Sequence, residues 1–406
     1  MRVVPLPSMA VLVTTLLGLA LQWQIARVYS GLIVEVFGGV RFEHVTGTLE
    51  IPLSYLLTAL ASAACALYCE RRPGPSRVIV VVHLLAVVIP LQALLAAQAE
   101  LARPEFAFTV ALAFLAAVAF AGLMPEISVP PAGKPVRVAL FIGSGLLTVY
   151  VFAALTGSGG LARFSFDLSA VYEVREEFLE GLAPLVGYFV PWQGYVFNPA
   201  LMLIGFRRRS LLITAAGLAL QLLLFGMTGY RAFLGIPLLL VGFYLLGRRR
   251  HLAALALAAM MGVIVLALLL YAWLDQPLIP GLLVDRLIVV PAEIHYWYYD
   301  FFGVHGAPAL QLSQSILAPL TEAHYGTPIA EVIGWKYLGS AASANVGLFG
   351  DAFANFGFAG CAIFALLFAL VLKAVDAAAR GADPRLAAAL VAMPSFQLVN
   401  SGLLTT

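Results

Sequence analysis

Charge is what this chain has least of. Asp, Glu, Lys and Arg together make up 11% of the 406 residues, against 62% hydrophobic ones. That is too little to cover a water-soluble core of this size. The apolar residues run in solid blocks rather than short alternating segments, which excludes a β-barrel. Only three cysteines occur, Cys65, Cys69 and Cys361, all inside apolar blocks, so no disulfide framework is expected. Cys65 and Cys69 share a helix face and read as packing. HExxH, paired CxxC, Walker and glycine-rich nucleotide sequences are all missing, which argues against a metalloprotease or an ATP-driven pump. No metal, cofactor or nucleic-acid partner is expected.

What is present is a succession of blocks near the ~20 residues a helix needs to cross a bilayer. They fall at 6–26, 51–69, 78–98, 106–124, 138–156, 183–206, 210–226, 232–247, 252–273, 354–375 and 386–406. The expected fold is therefore all-α, a polytopic transmembrane bundle of about eleven spans forming one integral domain over 1–406. The first block carries no cleavage signal and reads as a retained anchor. The last stops without a polar tail, so a further span is expected, giving twelve or more in the complete protein. Alternate loops (70–77, 125–137, 207–209, 248–251 and 373–385) hold, with Arg2, fifteen of the 23 Lys and Arg. By the positive-inside rule they are cytoplasmic, as is the N-terminus, and segments 27–50, 157–182 and 274–353 lie outside. Eight bases remain there or within the membrane and need a reason: Arg27, Arg41, Arg103, Arg163, Arg175, Arg231, Arg286 and Lys336.

Two outer segments stand apart, 157–182 and 274–353. In the first, "SAVYEVREEFLEG" reads as a helix capped by Ser169, with Arg175 among Glu173, Glu176, Glu177 and Glu180. It is either a solvated, salt-bridged surface helix or one that turns Arg175 toward an anion. The second opens with "DRLIVVPAEIHYWYYDFF", residues 285–302. There Arg286, Glu293 and Asp300 recur every seven residues and would share one face of a helix bent at Pro291, with Leu287, Ile294 and Tyr298 opposite. Such a segment suits an interfacial or re-entrant helix, part of a helical extracytoplasmic cap. Its rings fit an interfacial belt, or stacking on sugar or lipid. "GYRAFLGIP" places Arg231 at a helix N-terminus, as an anion site or a headgroup anchor. "SAASANVGLFGDAFANFGFAG" gathers Asn345, Asp351 and Asn355 at one outer helix start, where small residues also permit close packing.

In order, the blocks "SAVYEVREEF", "PWQGYVFNPALMLIGFRRR", "GYRAFLGIPLL", "DRLIVVPAEIHYWYYDFF" and "SANVGLFGDAFANFGFAG" resemble those of bacterial oligosaccharide repeat-unit polymerases, the Wzy-type O-antigen and capsule polymerases. The resemblance covers roughly 160–375 and implies a glycosyltransferase of the GT-C architectural type in the bacterial inner membrane, its active site facing the periplasm. Donor and acceptor would both be undecaprenyl-diphosphate-linked oligosaccharides, joined without a metal, with membrane lipid and a chain-length regulator protein as further partners. A diphosphate leaving group calls for guanidinium donors, and Arg175, Arg231 and Arg286 are the candidates, expected around one cavity. The acceptor hydroxyl profits from a base. His305 is the first choice, since imidazole can accept a proton near neutral pH, with Glu173, Asp351 and His324 behind it. Tyr172, His295, Tyr298, Tyr299, Asn345 and Asn355 are assigned to substrate or lipid, and His83 to packing. An O-antigen ligase would need the same groups and differ only in its acceptor. A flippase or secondary transporter would show related halves and midplane charges, and no half-repeat is evident.

Overall fold

A helix that is apolar on every side lies either inside the protein or in lipid, and residues 76–95 are enclosed by protein without exception. The computed structural model describes residues 8–37, 49–130, 133–167, 171–180, 184–322, 324–340 and 342–404. Its main helices, in chain order, are α1 (Met9–Phe37), α2 (Glu50–Arg71), α3 (Ser76–Ala96), α4 (Pro104–Leu123), α5 (Lys134–Gly157), α6 (Val171–Glu180), α7 (Asn198–Arg208), α8 (Leu211–Thr228), α9 (Arg231–Leu246), α10 (Leu252–Leu274), α11 (Val290–Tyr299), α12 (Ile329–Leu338), α13 (Leu348–Ala378) and α14 (Pro384–Gln397). Among the described residues there is no strand, and eight helices are long and apolar enough to cross a bilayer, as befits a membrane-embedded chain.

Eight stand where eleven were expected, and proline accounts for part of the difference. The block at 183–206 is interrupted by a π-helical turn, Gln193–Phe197, next to Pro191. α9 has sixteen residues, about 24 Å at 1.5 Å per residue and short of a ~30 Å hydrocarbon core. α14 has fourteen residues and contains Pro394. π-helical stretches also lead into Pro90, Pro199 and Pro291. A proline ring clashes with the carbonyl four residues back and brings no N–H. The wider π turn relieves both by moving the hydrogen bond one residue further.

Contacts divide the chain into two compact units. The first comprises Met1–Ile127, Arg249–Ala377 and Ser395–Thr406. In it α1 packs on α2, α3 and α10, and α2 packs on α4. Gln22 on α1 donates to Ser54 Oγ at 3.0 Å and to the Gln92 carbonyl at 3.2 Å, while Gln92 donates to the Ala107 carbonyl at 2.8 Å. The start of α3 meets both the end of α13 and the loop before α10. Asp376 accepts the Ser76 N–H (2.9 Å) and Oγ–H (2.7 Å), capping α3. Arg77 donates to the Arg249 carbonyl at 3.3 Å.

α13 is not one continuous helix. Phe356 and Gly357 depart from helical geometry, Gly357 with φ +61° and ψ −147°, a conformation essentially closed to residues with a Cβ. The helix is broken directly after Asn355.

The second unit comprises Ser128–Arg248 and Ala378–Pro394. A relay of amides crosses it. Thr148 donates to Gln193 Oε1 (3.1 Å), Gln193 to Asn198 Oδ1 (2.6 Å), Asn198 to Gln221 Oε1 (3.0 Å), and Gln221 to the Phe233 carbonyl (3.0 Å). Gln193, Asn198 and Gln221 are fully buried. Each amide both gives and receives, so the network fixes α5, α7, α8 and α9 without leaving any of those amides unpartnered.

Candidate functional site

The first unit builds its most reactive arrangement where α11 ends. The helix does not stop at Tyr299 but widens into a π turn, Asp300–Val304, which returns the fifth residue along to the first. The His305 N–H donates to the Asp300 carbonyl at 2.9 Å. Its Nδ1 lies 3.0 Å from that same oxygen and 3.1 Å from Asp300 Oδ2. Two acceptors facing Nδ1 require that nitrogen to carry the proton, which leaves Nε2 with the unshared pair. The imidazole is 54% exposed and the carboxylate 9%, so the base is open and its partner is not.

Tyr337 on α12 completes the arrangement, its hydroxyl donating to Asp300 Oδ2 at 2.5 Å. Burial pushes that phenol far above its usual range, with the bond to Asp300 adding to the effect. Rings surround the pair. Trp297 stacks on Tyr337 with centres 5.6 Å apart and planes 5° from parallel, and Tyr325 approaches Phe301 at 6.3 Å. A carboxylate that orients an imidazole through Nδ1 and leaves Nε2 open is the arrangement of a general base. Flat rings beside it suit the C–H faces of sugars.

Other assigned residues of this unit are occupied within the fold. Tyr298 and Tyr299 are enclosed, and the Tyr299 hydroxyl donates to Glu105 at 2.8 Å. His295 is fully buried, its Nδ1 donating to the Pro291 carbonyl at 2.6 Å, and its Nε2 has no partner among the described residues. Asn355 Nδ2 donates to the Asp351 carbonyl (2.8 Å) and to Oδ1 (3.2 Å), while its own Oδ1 accepts the Leu312 N–H at 2.6 Å. Gln311 and Leu312 hold positive φ angles of 48° and 67°, so Asn355 pins a strained stretch of the segment that follows His305. Asn345 and His324 are exposed.

Arg286 is exposed as well, whereas Asp300 is buried. The shared face expected for Arg286, Glu293 and Asp300 assumed α-helical turns throughout. The π-helical Gly281–Val289 segment changes the phase. The charge that reaches Glu293 is that of Asp285, and Glu293 hydrogen-bonds Tyr29. Burial pushes the Glu293 carboxyl up to about 7.

In the second unit, Gly229 turns the chain with φ +68°, and a Cβ there would come within 2.6 Å of the Val171 carbonyl oxygen. α6 therefore rests directly on the turn into α9. That contact brings Arg175 over the Tyr230 ring at 4.9 Å, next to Arg231, which opens α9. Tyr230 gives α9 no side-chain cap. Arg163 donates to the Met227 carbonyl on α8 at 3.0 Å and to the Ser158 carbonyl at 2.6 Å. Two guanidinium groups at an uncapped helix N-terminus suit an anion. Arg175 meets a ring where carboxylates were expected, and Glu173 is exposed. Arg2, Arg41, Ser169 and the side chain of Tyr172 lie outside the described residues.

No family model matches the chain, and neither a curated protein nor a solved structure matches it. The site thus rests on its own geometry. Of its residues, His305 was singled out from sequence, whereas Asp300 was read only as a charge on a helix face, and Tyr337 was passed over. The one signal that could have found the pair is the spacing Asp300-x4-His305 across Gly303.

Proposed function

We propose that this protein is an integral membrane glycosyltransferase of the bacterial inner membrane that joins oligosaccharide repeat units carried on undecaprenyl diphosphate, acting on the periplasmic side. The observation that carries the reading is the Asp300–His305 pair, with its open Nε2 among aromatic rings. His305 Nε2 takes the proton of the acceptor hydroxyl, the hydroxyl oxygen bonds to the donor's anomeric carbon, and the bond from that carbon to the diphosphate breaks with its electrons leaving on phosphate oxygen. Charge accumulating on the leaving diphosphate calls for guanidinium donors, the part for which the sequence singles out Arg175, Arg231 and Arg286. The ordered resemblance of five sequence blocks to repeat-unit polymerases supports the choice of substrate.

The test is reaction of the purified chain in nanodiscs with undecaprenyl-diphosphate-linked repeat units and no nucleotide sugar, read as a ladder on a gel. A ladder that persists in EDTA is expected. Transfer only onto a lipid A-core acceptor would make the protein a ligase, and no transfer to either acceptor would sink the reading.

A further inference from the structure

One end of the second unit gathers arginine from three separate stretches of chain. Residues 200–215, 240–248 and 378–390 hold six arginines, no lysine and a single acid, Asp383. Packing brings the three stretches together. The Phe206 ring, next to Arg207 at the end of α7, meets the Tyr244 ring near the end of α9 with centres 5.3 Å apart. Gly247 lets the end of α9 close on the start of α14, since a Cβ there would come within 2.7 Å of Ala388 Cβ and 3.3 Å of Arg385 Cα. Arg385 lies over the Tyr244 ring at 5.8 Å. Asp383 is engaged on the backbone, its Oδ1 accepting the Arg385 N–H at 2.9 Å. Arg207, Arg208, Arg209 and Arg248 are exposed, and among the described residues no carboxylate pairs with them. A helix C-terminus favours a nearby cation, but the run continues past the end of α7 to Arg209, which holds a φ of 52° where glycine is the usual residue.

Apolar surface begins directly beside these guanidinium groups. Leu211 and Leu212 are 83% and 81% exposed, and they open α8, a helix long and apolar enough to cross a bilayer. Lipid tails would cover the leucines, which sets Arg207, Arg208 and Arg209 at the depth of the headgroups. α9 runs sixteen residues, about 24 Å, from Arg231 to this end, so the cluster is remote from the helix start that carries Arg231. We infer that this end of the second unit holds the phosphate of an anionic phospholipid, with Arg207 and Arg208 as its main contacts. Guanidinium forks match phosphate oxygens two at a time, and several of them together attract anionic headgroups strongly. A zwitterionic headgroup brings its own cation to the same phosphate and gains less. The inference rests on the packing of this unit and stands apart from the transferase reading.

The experiment is competition binding to the full chain in neutral detergent micelles. A fluorescent phosphatidylglycerol is displaced by unlabelled phosphatidylglycerol or by phosphatidylcholine with the same acyl chains, and anisotropy is followed. Phosphatidylglycerol is expected to bind about tenfold more tightly, with the preference shrinking as salt is added. The preference should fall below about threefold in Arg207→Gln/Arg208→Gln and be largely kept in Arg207→Lys/Arg208→Lys, which retains the charge. Lys134→Gln/Arg137→Gln removes the same charge from the start of α5 and should leave the ratio as it was. Because the preference is a ratio taken within each variant, a folding defect that weakens both lipids alike does not imitate it. Equal affinity for the two lipids, or an unchanged ratio in Arg207→Gln/Arg208→Gln, overturns the inference. So does an equal fall in Lys134→Gln/Arg137→Gln, which would mean that any surface cation serves. Displacement of the probe by inorganic phosphate, at an ionic strength where sodium chloride displaces none, would assign the cluster to a soluble anion and overturn it as well.

Discussion

His295 and His305 lie ten residues apart on one helical run, and both turn Nδ1 to a backbone carbonyl of the preceding turn. Their environments then diverge. His295 is in the middle of α11, fully buried, and burial holds its imidazole down to about 4, so it stays neutral. Its Nε2 meets no partner among the described residues. His305 follows the π turn, where the extra residue per turn brings it back over Asp300, and it gains a carboxylate while keeping Nε2 open. The same residue type, anchored by the same bond, is a sealed core group in one place and a candidate base in the other. What separates them is one widened turn and the carboxylate it delivers.

The largest expected effect breaks that contrast outright. His305→Ala should lower the transfer rate by about 10²- to 10⁴-fold and leave the thermal midpoint unchanged. His295→Ala should instead cost on the order of 2–4 kcal/mol of stability by opening a cavity, with the rate per folded molecule retained. Equal behaviour of the two variants in parallel unfolding and turnover measurements would erase the distinction.

Smaller effects sharpen it. Asp300→Asn keeps the shape but removes the carboxylate that orients the imidazole through Nδ1, and an initial-rate assay should show a loss of about ten- to a hundredfold. Tyr337→Phe takes away one hydrogen bond to that carboxylate but leaves its charge and its contact with Nδ1, and should reduce the rate less than Asp300→Asn does.

A separate effect, on stability and not on rate, concerns Glu293, whose carboxyl is raised to about 7 by burial, beside Asp285. The folded-state value exceeds the unfolded one, so this group's contribution is complete below the ordinary carboxylate range and is lost as pH rises toward 7. The loss is on the order of 3 kcal/mol. Glu293→Gln should flatten the fall in thermal midpoint between pH 4.5 and 7.

Hydropathy made the helical, membrane-embedded class legible, because lipid demands long apolar helices whatever the details. Helix continuity was less legible. Pro90, Pro199 and Pro291 mark places where a helix must yield, but not that it yields as a π turn, and nothing in "FANFGFAG" announces that α13 breaks at Phe356 and Gly357. The site followed the same rule. His305 stood out as a histidine in a glycine-flanked turn, whereas its use depends on a local geometry and on Tyr337, thirty-seven residues beyond Asp300. Asn355 and Asp351 looked like ligand-facing polar groups because a sequence cannot show that they bond to each other and to the chain at Leu312.

The most direct test of the central claim, that His305 Nε2 takes the acceptor's proton, is chemical rescue. His305→Ala in nanodiscs would be supplied with lipid-linked repeat units and increasing free imidazole, and the rate of ladder formation followed. Rescue that rises with imidazole and is absent in the unsubstituted protein is the predicted result. Ladder formation by His305→Ala at the unsubstituted rate, with no imidazole added, would contradict the account.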